Sequence, residues 1–184
     1  MVIDITGKSL TDIGVSANDS FLLDTNILMW LFSGYHINVS DAQKVNAYSA
    51  FVAQLISSNV KLWTSTGNIQ EMFHLIEKNE YELFKIRTHR QLKKKDYRKL
   101  ASERAIVKNK GQSIYAAITA VCKVYRLVIT DEQIKRFIGK YDAHEYDPID
   151  FFISENAVSN RRINVVTDDR DYRVDSRLNV YTVV

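Results

Sequence analysis

Short apolar runs alternate with stretches of helical period along most of the chain. Ser20–Leu23 is an apolar run of strand length, and a helical pattern follows from about Asn26 to Phe32. Ser40 begins a second helix with capping-box spacing to Gln43, and Ala42, Val45, Val52 and Ile56 recur along it at helical intervals. Val60–Thr64 is the next strand, after which Ser65-Thr66-Gly67-Asn68 launches a helix whose apolar face is Ile69, Met72, Phe73 and Ile76. Tyr81 to Val107 is helical and basic, and Gln112–Tyr125 is a further helix with Ile114, Ile118 and Val121 on one face. Leu127–Ile129 is predicted as a strand and Asp131–Tyr141 as a helix. Pro148 breaks the chain ahead of a helix over Ile149–Ser159, and strands are predicted over Ile163–Thr167 and Leu178–Val183. Residues 1–19 read as a weakly ordered N-terminal extension to a domain spanning 20–184. Strands alternating with helices predict an α/β fold in three layers, α/β/α, around a mostly parallel, twisted sheet of about four to five strands.

The length of 184 residues fits one domain with a sizeable core. A composition of 46% hydrophobic and 26% charged residues, with one Pro, argues against disorder and against a linker-rich chain. No apolar stretch approaches the roughly 20 residues of a membrane span. Met1 to Ser20 lacks a basic start followed by an apolar core, so it does not read as a secretory signal. Cys122 is the single cysteine and has no internal disulfide partner, which makes the cytoplasm the simplest expected compartment.

Charge is distributed unevenly. The segment 85–110 holds eleven Lys/Arg against two acids, about +9, so with a total of +3 the remainder carries about −6. Such a stripe, including Lys93, Lys94, Lys95 and Arg98, suits the phosphates of a nucleic acid, although a solvated helix face explains it as well. Tyr81, Phe84 and Tyr97, interleaved with the cations, are candidates for base stacking or for core.

Two strands end in carboxylates. Phe21-Leu22-Leu23 runs into Asp24-Thr25-Asn26, and Val165-Val166 runs into Thr167-Asp168-Asp169-Arg170-Asp171. In an open α/β sheet the crevice beyond the strand ends is where ligands bind. Asp150 opens the helix after Pro148, on the same end of the sheet if the strands are parallel. Each position has a plainer explanation. Asp24 is a natural helix N-cap, Asp150 complements a helix dipole, Asp169 is a turn residue, and Glu71 lies nearly opposite the main apolar face of its helix. Together, however, crowded carboxylates require protons or a cation. Oxygen-only anionic ligands suit Mg²⁺ or Mn²⁺. Thr167 is placed to orient a carboxylate and Asn26 to brace the loop. His36, His74, His89 and His144 show no paired spacing, which with a single Cys argues against zinc. Neither a GxxxxGK[ST] nor a GxGxxG pattern is present, so no nucleotide cofactor is indicated.

Asp24-Thr25-Asn26 after a strand, Glu71 within Thr66-Gly67-Asn68-Ile69-Gln70-Glu71-Met72, Asp150 opening its helix, and the ending Val166-Thr167-Asp168-Asp169-Arg170-Asp171-Tyr172 occur in a family order. Over about Ser20 to Val184 the chain resembles the PIN-domain nucleases, especially the small VapC-like ribonucleases of toxin–antitoxin pairs. The resemblance implies an acidic quartet of Asp24, Glu71, Asp150 and Asp169 that holds metal and carries catalysis. It places Thr167 at the family's hydroxyl position and Asp171 at an additional acidic one, with Asp147 a rival for Asp150 and Asp168 a rival for Asp169. It further implies a metal-dependent endoribonuclease with RNA as substrate, an antitoxin partner and a homodimer. The chain departs from the family in its N-terminal extension, its long basic middle, and Phe151-Phe152 where small residues are usual. A PIN-like module that binds RNA or protein without catalysis is the alternative. A phosphatase with an aspartyl nucleophile would want a second Asp where Asn26 stands.

Overall fold

Phe21, Leu22 and Leu23 are all fully buried although successive side chains of a strand point to opposite faces, so this strand is covered on both sides. The computed structural model describes residues 1–35, 41–139, 141 and 147–184. Six strands form one sheet: β1 (Val2–Asp4), β2 (Ser20–Leu23), β3 (Lys61–Ser65), β4 (Lys123–Tyr125), β5 (Asn164–Val166) and β6 (Asn179–Thr182). Every pairing is parallel, in the order β1-β6-β5-β2-β3-β4. The helices among the described residues are α1 (Thr25–Phe32), α2 (Ala42–Ser57), α3 (Thr66–Thr88), α4 (Lys94–Tyr97), α5 (Ala101–Val121), α6 (Asp131–Gly139) and α7 (Pro148–Ser159). None is long and apolar enough to cross a membrane.

The strand alternation divides the core. Phe21, Leu23, Leu62, Val166 and Tyr181 face a cluster built with Ile27, Leu28, Phe51, Leu55, Met72, Ile76, Ile114 and Ile118, so α1, α2, α3 and α5 cover this side. Leu22, Val165 and Val180 face Ile153 and Ala157 of α7 on the other, where Phe137 of α6 also packs on Phe151 and Phe152. The bulky pair in α7 therefore serves as the floor for α6. The chain leaves β2 toward β3 on one side and returns as β5 on the other, so the topological switch point lies beyond β2 and β5.

Several expectations need correction. The 1–19 segment is not a loose lead-in. β1 pairs with β6 (Ile3 opposite Tyr181), and Ile5 is buried beside it, a strand too short to show a period. Leu127–Ile129 is not a strand. The strand is Lys123–Tyr125, within the segment predicted as the end of a helix. The Leu127 and Val128 amides instead donate to the side chains of Thr66 and Asn156, which occupy the place of a ladder partner. The 81–107 stretch is not one helix. His89, at φ 53°, ends α3, and the chain then folds back, so that α3 and α5 form an antiparallel hairpin with Arg87 against Glu103 and Phe73 against Gly111. A Cβ on Gly111 would lie 2.4 Å from the Phe73 ring, so the ring rests on the bare helix backbone here and would have to shift for any larger residue. The Ser40 capping box lies outside the described residues, and Asp41, which precedes α2, makes no side-chain cap.

Tyr48 ties α2 to the strand ends near the switch point. Its buried hydroxyl lies 3.1 Å from the Thr167 carbonyl, 3.1 Å from Asp168 Oδ1 and 3.0 Å from Thr182 Oγ1, and it accepts the Val183 amide at 3.0 Å. Tyr48→Phe strands these groups and is expected to cost ~1–3 kcal/mol. A lowered urea midpoint with an unchanged m value would show it.

Candidate metal centre

Asp24 follows β2 directly and is the N-cap of α1, yet it is almost wholly buried. Its Oδ1 accepts from the Thr25 amide at 2.7 Å and from Asn68 Nδ2 at 3.0 Å, and its Oδ2 accepts from Thr167 Oγ1 at 2.7 Å. The capping explanation of this residue holds, and Asp24 itself lies behind the cleft and does not line it. Thr167 is fully used: it donates to Asp24 and accepts from the Asp169 amide at 2.9 Å and from Asn26 Nδ2 at 3.4 Å. The Asn26 Oδ1 is buried with no hydrogen-bond partner among the described residues.

Glu71 sits in the second turn of α3, where Thr25 Oγ1 donates to its Oε2 at 2.6 Å. Asp150, in the first turn of α7, receives the Tyr172 hydroxyl at 3.0 Å. Asp169 accepts the Asp171 amide at 2.9 Å. Glu71, Asp150, Asp169 and Asp171 line one cleft of about 500 Å³, with Asp147, Gln70 and His74 also on its walls. Asp150, Asp169 and Asp171 each present an oxygen within 4.8 Å of the others.

The two rival acids have different surroundings. Asp147 is the N-cap of α7, accepting from the Ile149 amide at 2.9 Å on the rim of the cleft. Asp168 turns away to Lys44, at 3.0 Å, and to Tyr48. Lys93, Lys94, Lys95 and Arg98 do not line the cleft. Lys94 and Arg98 both bind Glu77, at 2.9 and 2.5 Å, and Tyr97 packs against Tyr81 and Phe84 as part of the core of the hairpin.

Four residues to which the sequence reading gave no site role, Ser65, Asn68, Thr25 and Tyr172, support the carboxylates. Ser65 caps α3, and its backbone N–H donates to Asn68 Oδ1 at 3.2 Å, so the Asn68 amide nitrogen must face the other way, toward Asp24 and the Thr25 oxygen. Thr25, accepting from Asn68, then has its proton free for Glu71. The Ser65-to-Asn68 spacing reads as a cap, and the second task of Asn68 depends on a residue 44 positions away. Tyr172 is likewise a buried aromatic whose hydroxyl finds Asp150 only in the fold.

Among the described residues no Lys or Arg forms an ion pair with Asp24, Glu71, Asp150 or Asp169. Burial therefore pushes Asp24 up to about 7 against the pull of Thr167 and Thr25, and the charges of Glu71 and Asp169 add to it. Burial, and next the charge of Asp24, pushes Asp150 up to about 8 despite its bond to Tyr172. An all-oxygen, anionic donor set of this kind fits a hard divalent cation, which would replace the protons.

A chain of the VapBC2 complex from Rickettsia felis, solved bound to a DNA fragment from their promoter, shares this architecture. The match covers 89% of the present chain and 98% of that one at a TM-score of 0.53 and 12% identity. The fold is PIN-like. At that identity the likeness speaks to the fold alone. No family model matches the chain, and no curated protein matches it significantly. The acidic cleft of this PIN-like domain is thus read from its own geometry.

Asp24 and Asp150 hold protons in the folded state well above the pH at which the unfolded chain releases them. Without a cation, stability is therefore expected to fall as the pH rises from about 5 to about 8. Glu77 and Asp175, both lowered to about 2, act with the opposite sign but only at lower pH. Mn²⁺ should restore the loss, and Asp24→Asn should make the metal-free protein less sensitive to pH. Thermal melts of both proteins across this range, with and without Mn²⁺, would test this. A flat profile for the metal-free wild type would contradict it.

Proposed function

We propose that the chain is a Mg²⁺- or Mn²⁺-dependent endoribonuclease that hydrolyses RNA phosphodiester bonds. The observation that carries this is the convergence of Glu71 of α3, Asp150 of α7, and Asp169 and Asp171 after β5 on one cleft, with the buried Asp24 adding its charge against Asp150. Asp150, Asp169 and Asp171 would hold the ion, with Asp24 and Glu71 completing its anionic surround. A bound divalent cation would supply Lewis acidity to the scissile phosphate and to the attacking water. The chain's own residues supply orientation. Thr167 and Asn68 fix both oxygens of Asp24, Thr25 fixes Glu71, and Tyr172 fixes Asp150, so the carboxylates need little rearrangement as charge develops. Protons on Asp150 compete with the ion for the same oxygens, so metal binding and activity are expected to weaken as the pH falls.

The basic segment 81–110 would bring the polyanionic substrate to the cleft, with Lys93 and Lys95 exposed. The Rickettsia felis neighbour is a VapBC complex, which supports the toxin of a toxin–antitoxin pair as the biological setting. A cognate antitoxin, a homodimer and a cytoplasmic location belong to that setting.

End-labelled single-stranded RNA is expected to be cut with Mn²⁺ or Mg²⁺ and not with EDTA. Asp24→Asn and Asp169→Asn should each lower the rate about a hundredfold or more, beyond what outlying supports of a metal site usually cost. Cutting that survives in both variants, or that persists in EDTA, would refute the assignment. Mn²⁺ binding without cutting of any RNA would favour a binding module.

A further inference from the structure

The turn of α3 that borders the acidic cleft through His74 borders a second groove through Phe73 and Glu77. This groove, of about 470 Å³, has apolar walls in Phe73, Tyr97 and Val107, with Arg98, Arg104 and Lys108 around them. Phe73 is 40% exposed, large for an aromatic ring, and it is held in place by resting on the bare backbone of Gly111. Glu77, the one acid on this lining, is already bound by Lys94 and Arg98. Lys108 is exposed and forms no ion pair among the described residues, and Arg104 spends one nitrogen on the carbonyls of Arg98 and Lys99. The groove thus offers an aromatic face and a surplus of positive charge.

We propose that this groove is a nucleotide subsite for a single RNA strand whose scissile phosphate lies in the acidic cleft. An unpaired base stacks on Phe73, and the adjoining phosphates meet Arg104, Lys108 and the outer face of Arg98. The subsite rests on the nuclease assignment for its meaning. Continuity favours RNA over an acidic peptide. His74 on the cleft wall and Glu77 on the groove are i,i+3 neighbours on the surface of α3. A strand that leaves the cleft past His74 therefore meets the groove on the same helix. Stacking on one ring tolerates any base, so the subsite would hold the strand and leave the choice of sequence to other contacts.

The test is fluorescence anisotropy of a labelled single-stranded RNA of mixed sequence with the full chain in EDTA, where no cutting intervenes. Phe73→Leu keeps apolar bulk over Gly111 but removes the aromatic face, whereas Phe73→Tyr keeps that face. Phe73→Leu and Lys108→Glu are each expected to weaken binding about tenfold, and Phe73→Tyr to retain it. Lys108→Glu should also flatten the slope of log affinity against log salt by about 0.7 or more. Unchanged affinity in both Phe73→Leu and Lys108→Glu, or a wild type that binds no RNA, would overturn the subsite. So would variants that keep RNA but lose an acidic peptide. Metal-dependent cutting with unaffected groove variants removes the subsite alone. Lost RNA binding in these variants, with no cutting by the wild type under any metal, removes the nuclease assignment and leaves an RNA-binding groove.

Discussion

A carboxylate buried with no cation paired to it among the described residues is the constraint around which this end of the protein is organised. Asp24 stands at the switch point of the sheet, where burial and the neighbouring acids disfavour its charge. Three donors hold it: the Thr25 amide, the Asn68 side chain and the Thr167 hydroxyl. Each comes from a different part of the chain, so fixing Asp24 also fixes α1, α3 and the turn after β5 relative to one another. The same donors reach onward. Thr25 orients Glu71 and Thr167 receives the Asp169 amide, so the geometry of the cleft is an extension of how one buried acid is satisfied. Such a network, tight in every bond and strained in charge, suits a site that a divalent ion completes.

α3 links the acidic and basic halves of the surface. Its first turns carry Asn68 and Glu71 at the cleft, its middle carries Phe73 and Glu77 at the groove, and its last turns carry Arg87, paired with Glu103 of α5. Glu77 gathers Lys94 and Arg98, and Glu80 gathers Lys110, so part of the positive charge of the segment is spent within the hairpin. Reading eleven cations as eleven phosphate contacts would therefore overstate what a ligand meets. The exposed remainder still surrounds a groove next to a cleft of the opposite sign, which is the arrangement a polyanion bridging to a metal would need.

Much of the architecture was legible in sequence because burial on both faces of a parallel sheet leaves continuous apolar runs. Ser20–Leu23 and Ile163–Thr167 stand out for that reason, and the carboxylates that end them are conspicuous. Where an element is short or its ladder partner is remote, local pattern fails. β1 is three residues long, and β4 lies inside a segment whose periodicity favours a helix. The apolar Leu127–Ile129 run looked like the strand, but its amides are claimed by Thr66 and Asn156. The break of the basic helix at His89 rests on one residue of positive φ that composition does not announce.

By itself, the sequence determined the layer order, the parallel sheet and the candidate acids, since these follow from hydrophobic period and from the side chains available to bind a hard cation. Only the tertiary structure placed the rival acids. Each pair offers the same chemistry within three positions, and what lies opposite sets their partners: Lys44 and Tyr48 draw Asp168 away from the cleft, whereas Asp147 accepts the Ile149 amide and stays on the cleft wall with Asp150. It also set Glu71, which lies nearly opposite the apolar face of its helix, on the wall of the cleft, still exposed to solvent and held there by the Thr25 hydroxyl that α1 delivers. Spacing along one helix sets which side chains share a face, whereas which of those faces meets another acid is a property of packing alone.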